Sequence, residues 1–102
     1  MTAKNEQEAQ TIVARLVDKK EIACANIVPR VRSFFWWQGR VEQEEEVMVV
    51  MKTLKTHFPS LVNTVRSLHS YEVPEVIALP VIEGNPDYLD WINDSLNPCE
   101  AS

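Results

Sequence analysis

The stretch Ser33-Phe34-Phe35-Trp36-Trp37-Gln38-Gly39-Arg40 limits what this chain can fold into more than any other. It holds four of the eight aromatic residues and one of the two glycines. Each large ring buries roughly 150–250 Å² when covered. In an extended segment Phe34 and Trp36 point to one side, and Phe35 and Trp37 to the other. Both sides of this ribbon need cover, and a chain of 102 residues has little material to spare for it. A second chain is expected to supply part of the cover.

The rest of the chain reads as one domain over residues 1–102. Apolar content of 45% and charged content of 25% are ordinary for a globular fold and argue against disorder. A net charge of −5 disfavours non-specific nucleic-acid binding, which rests on Lys and Arg meeting phosphates. The polar start lacks the apolar core of a signal peptide, and the longest apolar run, Val47 to Met51, is too short to span a bilayer. A cytoplasmic protein with no membrane contact is expected. Cys24 and Cys99 are paired by no motif, so two free thiols in a reducing compartment are expected.

Asn5 and Glu8 stand at capping-box spacing, and Ala9, Ile12, Val13, Leu16 and Val17 form one apolar stripe. A helix is predicted to about residue 20. Ile22 to Val28 reads as a strand, with Pro29 marking a bulge or an edge. Extended structure resumes at Val31 and reverses tightly at Gln38-Gly39. The acidic run through Glu42, Glu44, Glu45 and Glu46 reads as a solvated arm of the hairpin. Val47 to Met51 is apolar on both faces and reads as a central strand. A second helix starts near Pro59, and Glu75 to Ile82 reads as a further strand. Asn85, Pro86 and Asp87 start a third helix, which Pro98 ends. The order is helix, strand, strand, helix, strand, helix. Strands apolar on both faces need a partner on the face that helices leave open, and symmetric self-association is the usual solution.

No motif supports an enzyme. Cys24 sits in an apolar strand, there is no nucleophile elbow, and two glycines cannot build a phosphate cradle. The segment His69-Ser70-Tyr71-Glu72-Val73-Pro74-Glu75 lies between a helix end and a strand start. His69, Glu75 and a thiol such as Cys24 are the right ligand types for a transition metal, and imidazole, carboxylate and sulfur together favour Cu(II). The plainer alternative is that His69 caps a helix end and Glu75 faces solvent. His57 reads as an exposed residue before the helix. Tyr71, Trp37 and Trp91 could line a pocket with the His69 group, or serve as core or interface.

Several motifs together resemble the CutA family of divalent-cation tolerance proteins. They are Ala23-Cys24-Ala25-Asn26-Ile27-Val28-Pro29, Trp36-Trp37-Gln38-Gly39, Lys52-Thr53, the His69 to Glu75 segment, Ala78-Leu79-Pro80, Gly84-Asn85 and Tyr88-Leu89-Asp90-Trp91. Their order holds from Asn5 to about Leu96. The resemblance implies an α+β, ferredoxin-like antiparallel sheet with helices on one face, assembled as a homotrimer through the open sheet face. It implies binding of divalent cations, copper especially, without a required cofactor and without enzymatic activity. Carried over by position, the metal residues are His69, Glu75 and Cys24, and the rim residues are Tyr71, Trp37 and Lys52. The trimer interface is Phe35, Trp36, Trp37, Gln38, Gly39 and Trp91. The family's first strand is expected to be missing, Ser70 replaces a usual proline, Arg30 a usual glycine, and Glu21 a common leucine. Rival functions are a PII-like trimeric sensor of a small ligand and an adaptor platform for other proteins. The PII-like sensor would need a long loop where this chain has Gln38-Gly39.

Overall fold

Asn5 opens the first helix as its spacing predicts. Its side chain accepts a 2.8 Å hydrogen bond from the Glu8 N–H, and Glu8 reaches back to the Lys4 N–H at 3.1 Å. One donor orphaned at the helix start is thereby satisfied, together with the N–H of the residue that precedes the cap. The helix, α1, runs Glu6–Asp18 in a computed structural model that describes residues 1–97. Pro98 and Cys99, read as a helix stop and a free thiol, lie outside the described residues. Lys20 adopts the left-handed conformation just past the helix end, with φ of 56°.

Three strands form one antiparallel sheet: β1 is Thr2–Ala3, β2 is Cys24–Trp37 and β3 is Arg40–Lys52. The order is β1-β3-β2, so β3 is central as its apolar run predicts. The expected absence of a leading strand is corrected here. Thr2 opposes Met48 and Ala3 opposes Val47, so a short first strand is present. The break predicted at Pro29 is a register shift between Val28 and Val31, inside one continuous strand. Arg30 takes a φ of 60° there, a conformation that glycine adopts without strain. At the tip, Gln38 and Gly39 have φ of 49° and 78°, giving a two-residue turn with positive φ at both positions. A PII-like mobile loop has no place in it.

α1 packs on the sheet face that carries Ala3, Val47 and Val49, all buried together with Ala9. A second cluster joins Ile12, Leu16 and Ile22 to Leu61 and Val65 of α2, which runs Phe58–Leu68 after a 3-10 turn at Lys55–His57. Each such side chain contributes about 1.5–3 kcal/mol by leaving water. Glu21 is buried at the edge of this core, accepting 2.7 and 3.0 Å hydrogen bonds from the Thr64 hydroxyl with Lys19 Nζ at 3.1 Å. Side-chain alternation sends Cys24, Asn26, Val28, Met48, Val50 and Lys52 to the other face. Val28, Met48 and Val50 are exposed there.

The strand predicted at Glu75 to Ile82 does not pair in this chain; residues 74–82 take no regular structure. Among the described residues the sheet holds only β1, β3 and β2, and residues 74–82 join none of them. α3, Pro86–Leu96, is capped by the Asn85 side chain as expected. Its Tyr88 hydroxyl lies 3.3 Å from the thiol of Cys24, which points to the sheet face away from α1.

Candidate functional site

His69 stands where α2 ends. Its backbone N–H closes the last turn on the Val65 carbonyl at 2.8 Å, and its ring turns inward with a side chain 0% exposed. Nε2 lies 2.8 Å from the Thr2 carbonyl, which can only accept, so Nε2 carries the proton and donates. Nδ1 then has a free lone pair and accepts from the Tyr71 N–H at 3.0 Å. Both ring nitrogens are engaged. The plainer expectation, a histidine capping a helix end, describes part of this role; the rest is a tie between α2 and β1.

The neighbouring residues extend the tie. The Ser70 N–H donates to Glu8 Oε1 at 2.6 Å, binding the turn to α1. Burial alone would raise the Glu8 pKa, but the hydrogen bonds from Ser70 and Lys4 outweigh it and hold the carboxyl below its usual range. The Tyr71 ring tilts against His69, with centroids 4.7 Å apart, and its hydroxyl donates to Glu46 Oε2 at 2.7 Å. Burial, and then the Glu46 hydrogen bond and charge, push the Tyr71 phenol well above its ordinary value. Glu46 is itself buried, which corrects the view of the whole acidic run as solvated. Strand alternation carries no signal for this: it puts Glu46 on the open face with the exposed Met48 and Val50, and Glu46 is buried there with the Tyr71 hydroxyl bonded to it, a contact 25 positions away in sequence.

A second constellation lies at the other end of the strands. Cys24 opposes Lys52 in the register. The Cys24 thiol is 3.3 Å from the Tyr88 hydroxyl, and Lys52 Nζ donates to Asn26 Oδ1. Tyr88 stacks on Trp91 with centroids 5.6 Å apart. Tyr88 and Asn26 were not anticipated as partners; the i, i+3 spacing of Tyr88 and Trp91 on α3 was the available signal.

The proposed ligands do not converge within one chain. His69 touches Thr2, which opposes Met48, whereas Cys24 opposes Lys52, about 13 Å further along at the usual strand rise. Ligands to one transition-metal ion stand about 2.0–2.3 Å from it. Glu75 lies near the Met1 amino group, where burial lowers the amine pKa and the Glu75 charge opposes the change. Among the described residues no three His, Cys, Asp or Glu side chains gather as a metal site. A single copy does not fit a metal centre built from these three residues.

Nor does the rim assemble as expected. Trp37 opposes Arg40 at the hairpin tip, about 20 Å along the strand from the Glu46 that Tyr71 touches. Trp37 and Lys52 are therefore not rim partners of Tyr71 in one chain, and Trp91 is with Tyr88 instead. The cleft beside the turn, about 340 Å³, is lined by Lys4, Asn5, Gln7, Glu8, Thr11, Leu68 and Ser70. Phe35, Trp36, Trp37 and Trp91, the expected interface rings, are all exposed. Among the described residues no helix is long and apolar enough to cross a membrane.

Residues 1–95 match the family described as CutA1 divalent ion tolerance protein. The chain is 43% identical over 95 residues to a divalent-cation tolerance protein CutA of Thermus thermophilus, covering 93% of this chain and 92% of that one. It is 44% identical over 93 residues to the mouse Protein CutA, covering 91% of this chain and 52% of the mouse protein, about half its length. A solved structure of the periplasmic divalent cation tolerance protein CutA from Archaeoglobus fulgidus superposes with a TM-score of 0.91. It is 38% identical in sequence and covers 94% of this chain and 93% of that one.

Proposed function

Because the chain belongs to the CutA1 divalent ion tolerance family, we propose that it acts in tolerance of divalent cations, as a homotrimer that binds copper(II) and related ions without catalysing a reaction. Family membership over residues 1–95 is the observation that carries this. Exposed rings at the hairpin tip and the uncovered Val28, Met48 and Val50 face support association between copies. We assign the cation site to Cys24, His69 and Glu75 drawn from more than one copy, since one chain holds them apart. His69 joins such a site through Nδ1 only by giving up its hydrogen bond from Tyr71. The free Cys24 thiol suits a reducing, cytoplasmic compartment.

Titration calorimetry with Cu(II), Zn(II) and Ni(II), run beside sedimentation equilibrium, tests the proposal. Chelator-reversible binding that saturates at a fixed number of ions per trimer is the expected result. Unchanged copper affinity in His69→Ala would remove His69 from the site. A monomer with no cation binding would remove the proposal itself.

A further inference from the structure

Glu46 stands between two cations and pairs with neither. Ala3 opposes Val47, so Lys4 comes beside Glu46 one step past the end of β1. Val31 opposes Glu46 from the other strand, which brings in Arg30 at the bulge. Where β1 gives way to α1, a cleft of about 290 Å³ opens, lined by Lys4, Glu6, Arg30, Glu45 and Glu46. Among the described residues neither the Lys4 amine nor the Arg30 guanidinium forms an ion pair, although three carboxylates share the cleft with them.

Glu46 is the fixed point of this cleft. It is 7% exposed, and the Tyr71 hydroxyl holds its Oε2 at 2.7 Å. Its Oε1 accepts no hydrogen bond among the described residues. That oxygen is not sealed in either, because every fully buried polar side-chain atom among them has a partner. A carboxylate largely removed from water and short of a donor favours a cationic N–H that completes it. Arg30 is held beside it at a φ of 60°, and backbone strain of this kind gathers at ligand sites.

The mixture of charges selects the ligand. A lone anion at Lys4 and Arg30 meets the charges of Glu6, Glu45 and Glu46, and a lone cation at Glu46 meets Lys4 and Arg30. A compact ligand that carries both charges avoids both penalties. Its ammonium donates to Glu46 Oε1, and its carboxylate takes the forked guanidinium of Arg30 together with the Lys4 amine. Pro29 and Val47 add apolar lining for a short side chain. The volume stands at the lower end of the roughly 300–1,000 Å³ usual for small-molecule sites, which favours a ligand of this size over a nucleotide.

We propose that this cleft binds a free α-amino acid with a small apolar side chain. The site uses none of Cys24, His69 and Glu75 and requires no metal.

The test titrates the isotope-labelled full chain, followed by amide NMR shifts, with three probes. They are L-valine, 3-methylbutanoate, which lacks the ammonium, and 2-methylpropylamine, which lacks the carboxylate. Valine is expected to give saturable shifts centred on Lys4, Arg30 and Glu46, and each analogue to bind at least tenfold more weakly. Arg30→Gly, which relieves backbone strain, and Glu46→Gln, which keeps an acceptor for Tyr71, are each expected to weaken valine binding at least tenfold. The proposal is overturned if valine gives no saturable shifts, if the shifts lie elsewhere, or if Arg30→Gly binds valine unchanged. It is also overturned if either analogue binds as tightly as valine, which would mark a plain anion or cation site.

Discussion

The Tyr71 hydroxyl donates a 2.7 Å hydrogen bond to Glu46 Oε2 across 25 positions of sequence, joining the turn after α2 to the middle of β3. Glu46 is 7% exposed, so its carboxylate depends on that donor. A hydrogen bond to a charged group contributes about 1.5–3 kcal/mol when the partner would otherwise stay buried and unsatisfied. Tyr71→Phe keeps the ring against His69 and removes only the donor. Urea unfolding should show a loss in that range with an unchanged slope. A loss below about 0.5 kcal/mol would mean that water replaces the hydroxyl.

The same contact sets an alkaline limit. Burial first, and then the hydrogen bond and charge of Glu46 with the charges of Glu8 and Glu44, raise the Tyr71 pKa above the ordinary phenol value of 10.0. A raised folded-state pKa stabilises fully below the unfolded value and loses that contribution as pH climbs through the folded one. Spectrophotometric titration should therefore show the latest tyrosine ionisation vanish in Tyr71→Phe. Persistence of that step in the variant would assign it to Tyr88.

Glu8 sets an acid limit with the opposite sign. Its pKa is lowered in the fold, so its contribution is present above the unfolded value and lost as pH falls through the folded one. Glu8→Gln keeps the shape and removes the charge. The variant should be less stable than the parent at pH 7, and the gap in urea midpoint should close as the pH is lowered. A gap of constant size down to strong acid would show that shape, not charge, is what Glu8 supplies.

Arg30 carries backbone strain that a single substitution can relieve. A side chain in the left-handed region costs about 1–2 kcal/mol, against about 0.5–1 kcal/mol of chain entropy for glycine. At a φ of 60°, Arg30→Gly should raise stability by up to about 1 kcal/mol, whereas Arg30→Ala should not. Paired thermal melts would decide, and equal gains in both variants would trace the effect to the arginine charge.

Trp37 is 59% exposed at the hairpin tip and opposes Arg40, far from the His69 turn. Trp37→Ala is expected to weaken self-association before it changes cation affinity. Sedimentation velocity and copper titration on the same sample would separate the two. Intact assemblies with lost copper binding would place Trp37 at the cation site instead.

The local elements were legible in the chain of residues alone. Capping side chains at Asn5 and Asn85, the apolar stripe of α1, the Gln38-Gly39 reversal and the interruption at Pro29 are short-range features whose physics is complete within a few residues. The family was legible for the same reason, since its motifs are contiguous stretches in a fixed order. Tertiary structure decided the rest. It buried Glu46 and gave it to Tyr71, engaged both nitrogens of His69, and set Cys24 and Lys52 at the opposite end of the strands. It also added the two-residue β1 and left the segment predicted as a strand at Glu75 to Ile82 unpaired. A strand is not a local object: its backbone donors and acceptors are satisfied only by a neighbour, and neither composition nor periodicity states whether that neighbour is there.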